Sequence, residues 1–335
     1  MQRMIWAVLV AFLAALLIGP ALHQALRRRK FGQNVYELAP AAHKKKQGVP
    51  TMGGLLIALS TLIAAIALHR GGFSIATDYT FAVLALALGN LCIGLADDLT
   101  KIRSGKNGGL TPRQKLIFQT LLAIAFSLYC YFHPQIGPVV IVPFVGWEWN
   151  LGIFYIPIMV VAIVFMTNSA NLLDGLDGLL SSVSMVDGAA LGLIALFMSV
   201  SATDAGATNL QNLAVTMCAL AGACMGFLRF NGYPAKWILG DTGSMFIGGA
   251  VVGAALAMRQ QILLLLVAVC MVISSLSVII QRVYFDATHG KRIFKMSPLH
   301  HHFELSGVPE PKIVSMYMVA TVAACLLALL AVMPR

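Results

Sequence analysis

Long apolar runs decide what this chain can become. Hydrophobic residues gather in blocks of roughly 18 to 22 separated by short polar breaks, about what one helix needs to cross a hydrocarbon core of about 30 Å. Of 335 residues, 59% are hydrophobic and only 11% charged, too little charge to clothe a water-soluble surface of this size. An all-α polytopic membrane protein is therefore expected, as a single integral-membrane domain over 1–335 without internal repeats or low-complexity segments. The first run lacks a strong basic leader and a small-x-small cleavage site, so it reads as a retained span rather than a signal peptide.

Runs and breakers give ten expected transmembrane helices: 4–22, 51–68, 79–96, 116–133, 153–170, 179–200, 211–228, 242–258, 261–281 and 312–333. An even count puts both termini on one side. Of the 23 Lys and Arg, only Arg3, Arg70, Arg259 and Arg335 fall on that side. Positive residues collect in the cytoplasm, so both termini are expected outside and the connections 23–50, 97–115, 171–178, 229–241 and 282–311 inside. The net charge of +10 then reflects topology, and no nucleic-acid partner is expected. The outer connection around 139–150 carries short β-branched and aromatic runs about a Phe-Val-Gly turn, which predict a small hairpin. Six scattered cysteines without a CxxC pair read as small apolar residues within helices.

Every polar cluster with chemical character falls on the same inner face. LADDLTK places Asp97 and Asp98 side by side where an apolar run ends, opposed by the negative end of a helix and by each other. A salt bridge to Lys101 is the bland account; a metal or a cluster of Lys and Arg explains the pair better. NSANLLDGLDGLL offers Asn168, Asn171, Asp174 and Asp177, more than a turn requires and hard oxygen ligands of the kind that suit Mg²⁺. GDTGS sets Asp241 at a glycine-flanked helix start, as an N-cap or a third metal ligand. PLHHHFE brings His300, His301 and His302 into a basic loop, where they suit a nucleotide or diphosphate better than a transition metal. Lys44, Lys45 and Lys46 flank one span entry, and Lys115 lies close to another, where an unpartnered charge costs a few kcal/mol. Asp187, well inside the sixth span, is expected to make some polar contact within the bundle.

In this order, PTMGG, LADDLTK, NLLDGLDGL, GDTGS and PLHHHFE resemble the polyprenyl-phosphate N-acetylhexosamine-1-phosphate transferases over essentially the whole chain. HHHFE narrows the resemblance to the phospho-N-acetylmuramoyl-pentapeptide transferases; Val49 stands where their motif usually has Thr. The resemblance implies a multi-pass enzyme of the bacterial cytoplasmic (inner) membrane, a homodimer among membrane lipids. It would move phospho-MurNAc-pentapeptide from UDP-MurNAc-pentapeptide to undecaprenyl phosphate with Mg²⁺, releasing UMP and forming lipid I. It further implies Asp241 as metal ligand, Asp97 as acid-base residue and Asp98 beside the lipid phosphate and metal. Asp174 and Asp177 would handle the nucleotide sugar, with Asn168, Asn171, Asn231 and Gln281 around it. His300 and His301 would meet diphosphate or uridine, with His302 in the same loop, and Lys46, Lys101 and Lys115 the phosphates. A direct attack and a two-step route through an Asp nucleophile both remain open. The rivals are a sibling GlcNAc-1-phosphate transferase and an ion-coupled transporter, although transporters place their acids near the midplane, often in repeated halves.

Overall fold

The computed structural model describes residues 1–28, 48–74, 77–104, 108–202 and 204–332, so Lys44, Lys45 and Lys46 lie outside the described residues. Its helices are α1 (Gln2–Arg28), α2 (Gly54–Ala67), α3 (Tyr79–Ser104), α4 (Pro112–Phe132), α5 (Tyr155–Leu173) and α6 (Leu179–Val200). They continue as α7 (Asp204–Asn231), α8 (Gly240–Ala257), α9 (Gln261–Val267), α10 (Val269–Ala287), α11 (Leu299–Glu304) and α12 (Glu310–Val332). Strands β1 (Val139–Ile141) and β2 (Glu148–Asn150) pair antiparallel, with Val140 opposite Trp149, and form the expected hairpin. The chain is an all-α polytopic membrane protein.

Three expected spans are corrected. Among the described residues nine helices, not ten, are long and apolar enough to cross a membrane. The second span shrinks to the 14 residues of α2, about 21 Å at ~1.5 Å per residue. Its start is displaced because Met52 adopts φ +64° and the Gly53 and Gly54 amides are drawn to the Ile238 and Leu239 carbonyls at 2.9 and 3.1 Å. α3 runs on to Ser104, so Asp97 and Asp98 lie inside a helix rather than at its end. Nothing in TKIRS breaks a helix, and the dipole penalty, confined to the last turn, is largely relieved there. The ninth span is two helices, broken at Ala268 without Gly or Pro and prolonged to Ala287.

Contacts fix which helix ends lie together. At one end Arg3 of α1 donates to the Leu68 carbonyl and to Asn212 of α7, which also accepts from the Arg70 amide. At the other, α3, α4, α5 and α8 meet through acidic and amide side chains. α8 is the axis: every residue from Thr242 to Ala257 is buried, and its many Gly and Ala let neighbouring backbones come close, as bundles without a water-driven core require. Within α6 Asp187 is fully buried, and among the described residues neither carboxylate oxygen finds a hydrogen-bond partner, contrary to the polar contact expected of it.

Candidate active site

Asp97, Asp98 and Lys101 share one face of α3, where i, i+1 and i+4 positions fall close together. That face meets the first turn of α8. The Asp98 carboxylate caps this turn from another helix: one oxygen accepts from the Thr242 amide (3.0 Å) and hydroxyl (2.6 Å), the other from the Asp241 amide (3.3 Å). A buried carboxylate paired with helix-start amides gains both the bonds and the dipole. This close crossing depends on Gly94, one turn before Asp98, where a Cβ would stand 2.2 Å from the Asp241 carbonyl oxygen. Gly240 turns the chain into α8 at φ +75°, a conformation that favours glycine.

Asp241 collects the other elements. Its Oδ2 accepts from Lys101 Nζ at 3.1 Å and Lys115 Nζ at 3.0 Å. Its Oδ1 accepts from Asn171 Nδ2 at 2.8 Å, and the same amide reaches Ser244 Oγ at 2.9 Å. Lys115 is delivered by the start of α4, where Thr111 and Gln114 cap each other reciprocally and Pro112 opens the helix. Asn168, one turn before Asn171, donates to Gln119 of α4 at 3.0 Å. Asp97 is held by Lys101 at 2.6 Å and by the Leu110 amide at 2.9 Å.

Three carboxylates and two ammoniums thus share one buried corner, one negative charge in excess. Asp97, Asp98 and Asp241 each present an oxygen within 4.8 Å of the others, the single such group among the described residues. All-carboxylate ligation suits a hard divalent cation such as Mg²⁺, and no thiol or imidazole joins the group to favour zinc. The lysines on Asp241 mark where positive charge is already drawn.

Other expected residues are placed differently. Asp174 terminates α5 beside Asn171, to whose carbonyl its amide donates (3.3 Å). Asp177 is buried and accepts from the Ala235 amide at 2.9 Å, tying its turn to the approach to α8. Asn231 accepts from Ser181 Oγ (2.9 Å) and donates to the Trp237 carbonyl (3.0 Å), bracing the same connection. Gln281 accepts from the Ile293 and Phe294 amides at 3.1 and 3.0 Å, folding the 288–298 segment back onto α10. The three histidines diverge: His300 is buried, with its Nε2 2.2 Å from where a Gly175 Cβ would stand; His301 Nδ1 pairs with Glu304 (2.9 Å); His302 Nδ1 accepts from the Lys295 amide (3.1 Å). The His-rich helix α11 therefore sits against the Asp-Gly turn. Sequence reasoning missed Gly94, Gln119, Thr242 and Ser244 as parts of the site. Thr242 and Ser244 lie within the GDTGS motif, so the signal was present without its meaning.

The glycosyl transferase family 4 model matches residues 80–259, which include both the Asp97–Asp98 pair and Asp241. A phospho-N-acetylmuramoyl-pentapeptide-transferase of Clostridium novyi (strain NT) is 42% identical over 330 residues, covering 98% of this chain and 97% of its own. The Clostridium perfringens (strain SM101 / Type A) protein of the same name is 40% identical over 326 residues, covering 97% of this chain and 96% of its own. With similarity at this level from end to end, and the motif residues drawn into one corner, the chain belongs to the phospho-N-acetylmuramoyl-pentapeptide-transferase family.

Proposed function

We propose that this protein transfers phospho-MurNAc-pentapeptide from UDP-MurNAc-pentapeptide to undecaprenyl phosphate, giving lipid I and UMP. The reaction would take place at the cytoplasmic face of the bacterial inner membrane. The observation that carries the reading is the bridging of Asp241 by Lys101 and Lys115 beside Asp97. Two phosphorylated reactants repel each other; Lys101 and Lys115, together with a cation on the carboxylate set, would offset that repulsion.

Asp241 would hold Mg²⁺, with Asp98 fixing the turn that presents Asp241. When bound, the ion would neutralise phosphate charge and orient the oxygens of the diphosphate. Asp97, unblocked when Lys101 turns to a phosphate, would accept the proton of the lipid phosphate. That oxygen then bonds to the β-phosphorus as its bond to the bridging oxygen breaks, and UMP leaves. Lys115 would meet charge building on the departing phosphate, and the His300–Gly175 contact would border the nucleotide-sugar pocket. Asp174 and Asp177, with Asn168, Asn171, Asn231 and Gln281, would shape that pocket, and Lys46 would meet phosphate.

The topology we propose is ten passes, the short α2 added to the nine long apolar helices, with both termini outside, supported by the charge asymmetry of the loops. A homodimer is proposed too: Trp6, Leu13 and Leu17 of α1 and Val319, Leu326 and Leu330 of α12 are exposed and suit a second copy as well as lipid. Native mass spectrometry from nanodiscs decides between them.

The test of the chemistry is UMP release by purified protein with undecaprenyl phosphate, with and without Mg²⁺, for wild type and Asp241→Ala. Turnover by wild type that requires Mg²⁺, and its loss in the variant, are expected. Unchanged turnover in Asp241→Ala, or acceptance of UDP-GlcNAc in place of UDP-MurNAc-pentapeptide, would overturn the assignment.

A further inference from the structure

At the end of the bundle far from the acidic corner, the stretch 144–154 leaves six large apolar side chains uncovered. Phe144, Val145, Trp147, Trp149, Ile153 and Phe154 are each more than half exposed. Soluble surfaces avoid such concentrations. The other side of the hairpin faces the bundle: Glu148, though still exposed, forms an ion pair with Arg259 at 3.2 Å, and its cross-strand partner Ile141 lines a cavity of about 500 Å³ with Met258 and Arg259. Trp147 and Trp149 alternate with Glu148 along the chain and so point away from that face.

Two features say what covers the aromatic side. Beyond Phe154 the apolar exposure continues along the membrane-spanning α5 at Ile158 and Val161, and Phe132 at the end of α4 is exposed too. Between residues 134 and 154 Glu148 is the single charged residue, and its ion pair with Arg259 lowers the cost of bringing that charge close to lipid. Indole rings settle in the layer of lipid headgroups, where an apolar body and a polar N–H are both accommodated.

We propose that the 139–150 hairpin is a membrane-interface anchor, lying in the headgroup layer with Trp147 and Trp149 inserted among the lipids. Through Glu148 and Arg259 it then holds the far end of α8, the helix that begins at Asp241. The inference rests on the membrane-spanning class of the protein and is independent of the chemistry proposed above.

Tryptophan fluorescence tests it, because the chain has four Trp and two of them are in the hairpin. The signal of Trp147 and Trp149 is the difference between wild type and Trp147→Phe/Trp149→Phe, with full-length protein in nanodiscs open to solvent on both faces. Severalfold quenching of that difference by lipids brominated near the headgroup, with little response to iodide, is expected. Iodide quenching without bromolipid quenching would put the hairpin in water and overturn the proposal. Protection from both would mean that a second copy or another protein covers the hairpin, and would overturn it equally.

Discussion

Gly94→Ala isolates what the helix crossing does for the site. Alone in a helix the change favours folding by about 1 kcal/mol, because alanine has less backbone freedom to lose. Here the new Cβ would lie 2.2 Å from the Asp241 oxygen, 2.5 Å from its carbonyl carbon and 2.8 Å from the Thr242 nitrogen, all backbone atoms. No side-chain rotation relieves such contacts, so α3 and α8 must part by about 1 Å, at an overpacking cost of about 1–3 kcal/mol. The two Asp98–Thr242 bonds, now 3.0 and 2.6 Å, would lengthen beyond useful range. Asp241 would move away from Asp97, a displacement of the size that lowers rates by about 10²-fold. UMP release measures the effect, with a detergent melt as a control for folding. Gly72→Ala is the matched substitution, since a Cβ there meets nothing within 4 Å, and it should leave turnover unchanged. Gly94→Ala protein that melts normally and turns over at the wild-type rate would refute the idea that this crossing sets the site.

Three further outcomes are expected. Thr242→Val should cost about 1.5–3 kcal/mol, the worth of a hydrogen bond to a charged group, and Thr242→Ser should recover it; equal denaturation midpoints for the two would show that the Thr242 hydroxyl does not hold the turn. Lys115→Met, which strips the 3.0 Å ammonium from Asp241, should lower kcat/KM by about 10²–10³-fold with little change in melting, whereas a variant altered only in melting would make Lys115 structural. Asp187→Leu replaces a buried carboxyl that has no hydrogen-bond partner among the described residues with an apolar side chain of similar size; it should raise the thermal midpoint with activity kept, and lost activity would show that the carboxyl is used.

Much of the architecture could be read from the chain because lipid imposes long, unambiguous apolar runs. Hydropathy, however, marks where lipid stops and not where a helix stops. α3 therefore outlasts its apolar run by two turns, carried by TKIRS, and α9 and α10 part at Ala268 with no Gly or Pro to announce it. In the site, the adjacent acids of LADD and the Asp of GDTGS were legible as chemistry because carboxylates are out of place beside lipid. Their division of labour was not. Asp98 is committed to backbone amides 143 and 144 residues away, a relation that no local spacing encodes. Asn231 and Gln281 carry the amide groups expected of ligand contacts, yet their neighbours in space are the chain's own carbonyls and amides.

The burial of α8 on every side has a bearing on how the bilayer reaches the chemistry. Thickness and headgroup packing press on helices that touch lipid, changing their tilt; α8 is insulated from that pressure. α4 is not, since Leu116, Ile117 and Leu121 are exposed. A thinner or thicker membrane would therefore shift Lys115 against a stationary Asp241, altering the spacing of charges while the aspartate keeps its place.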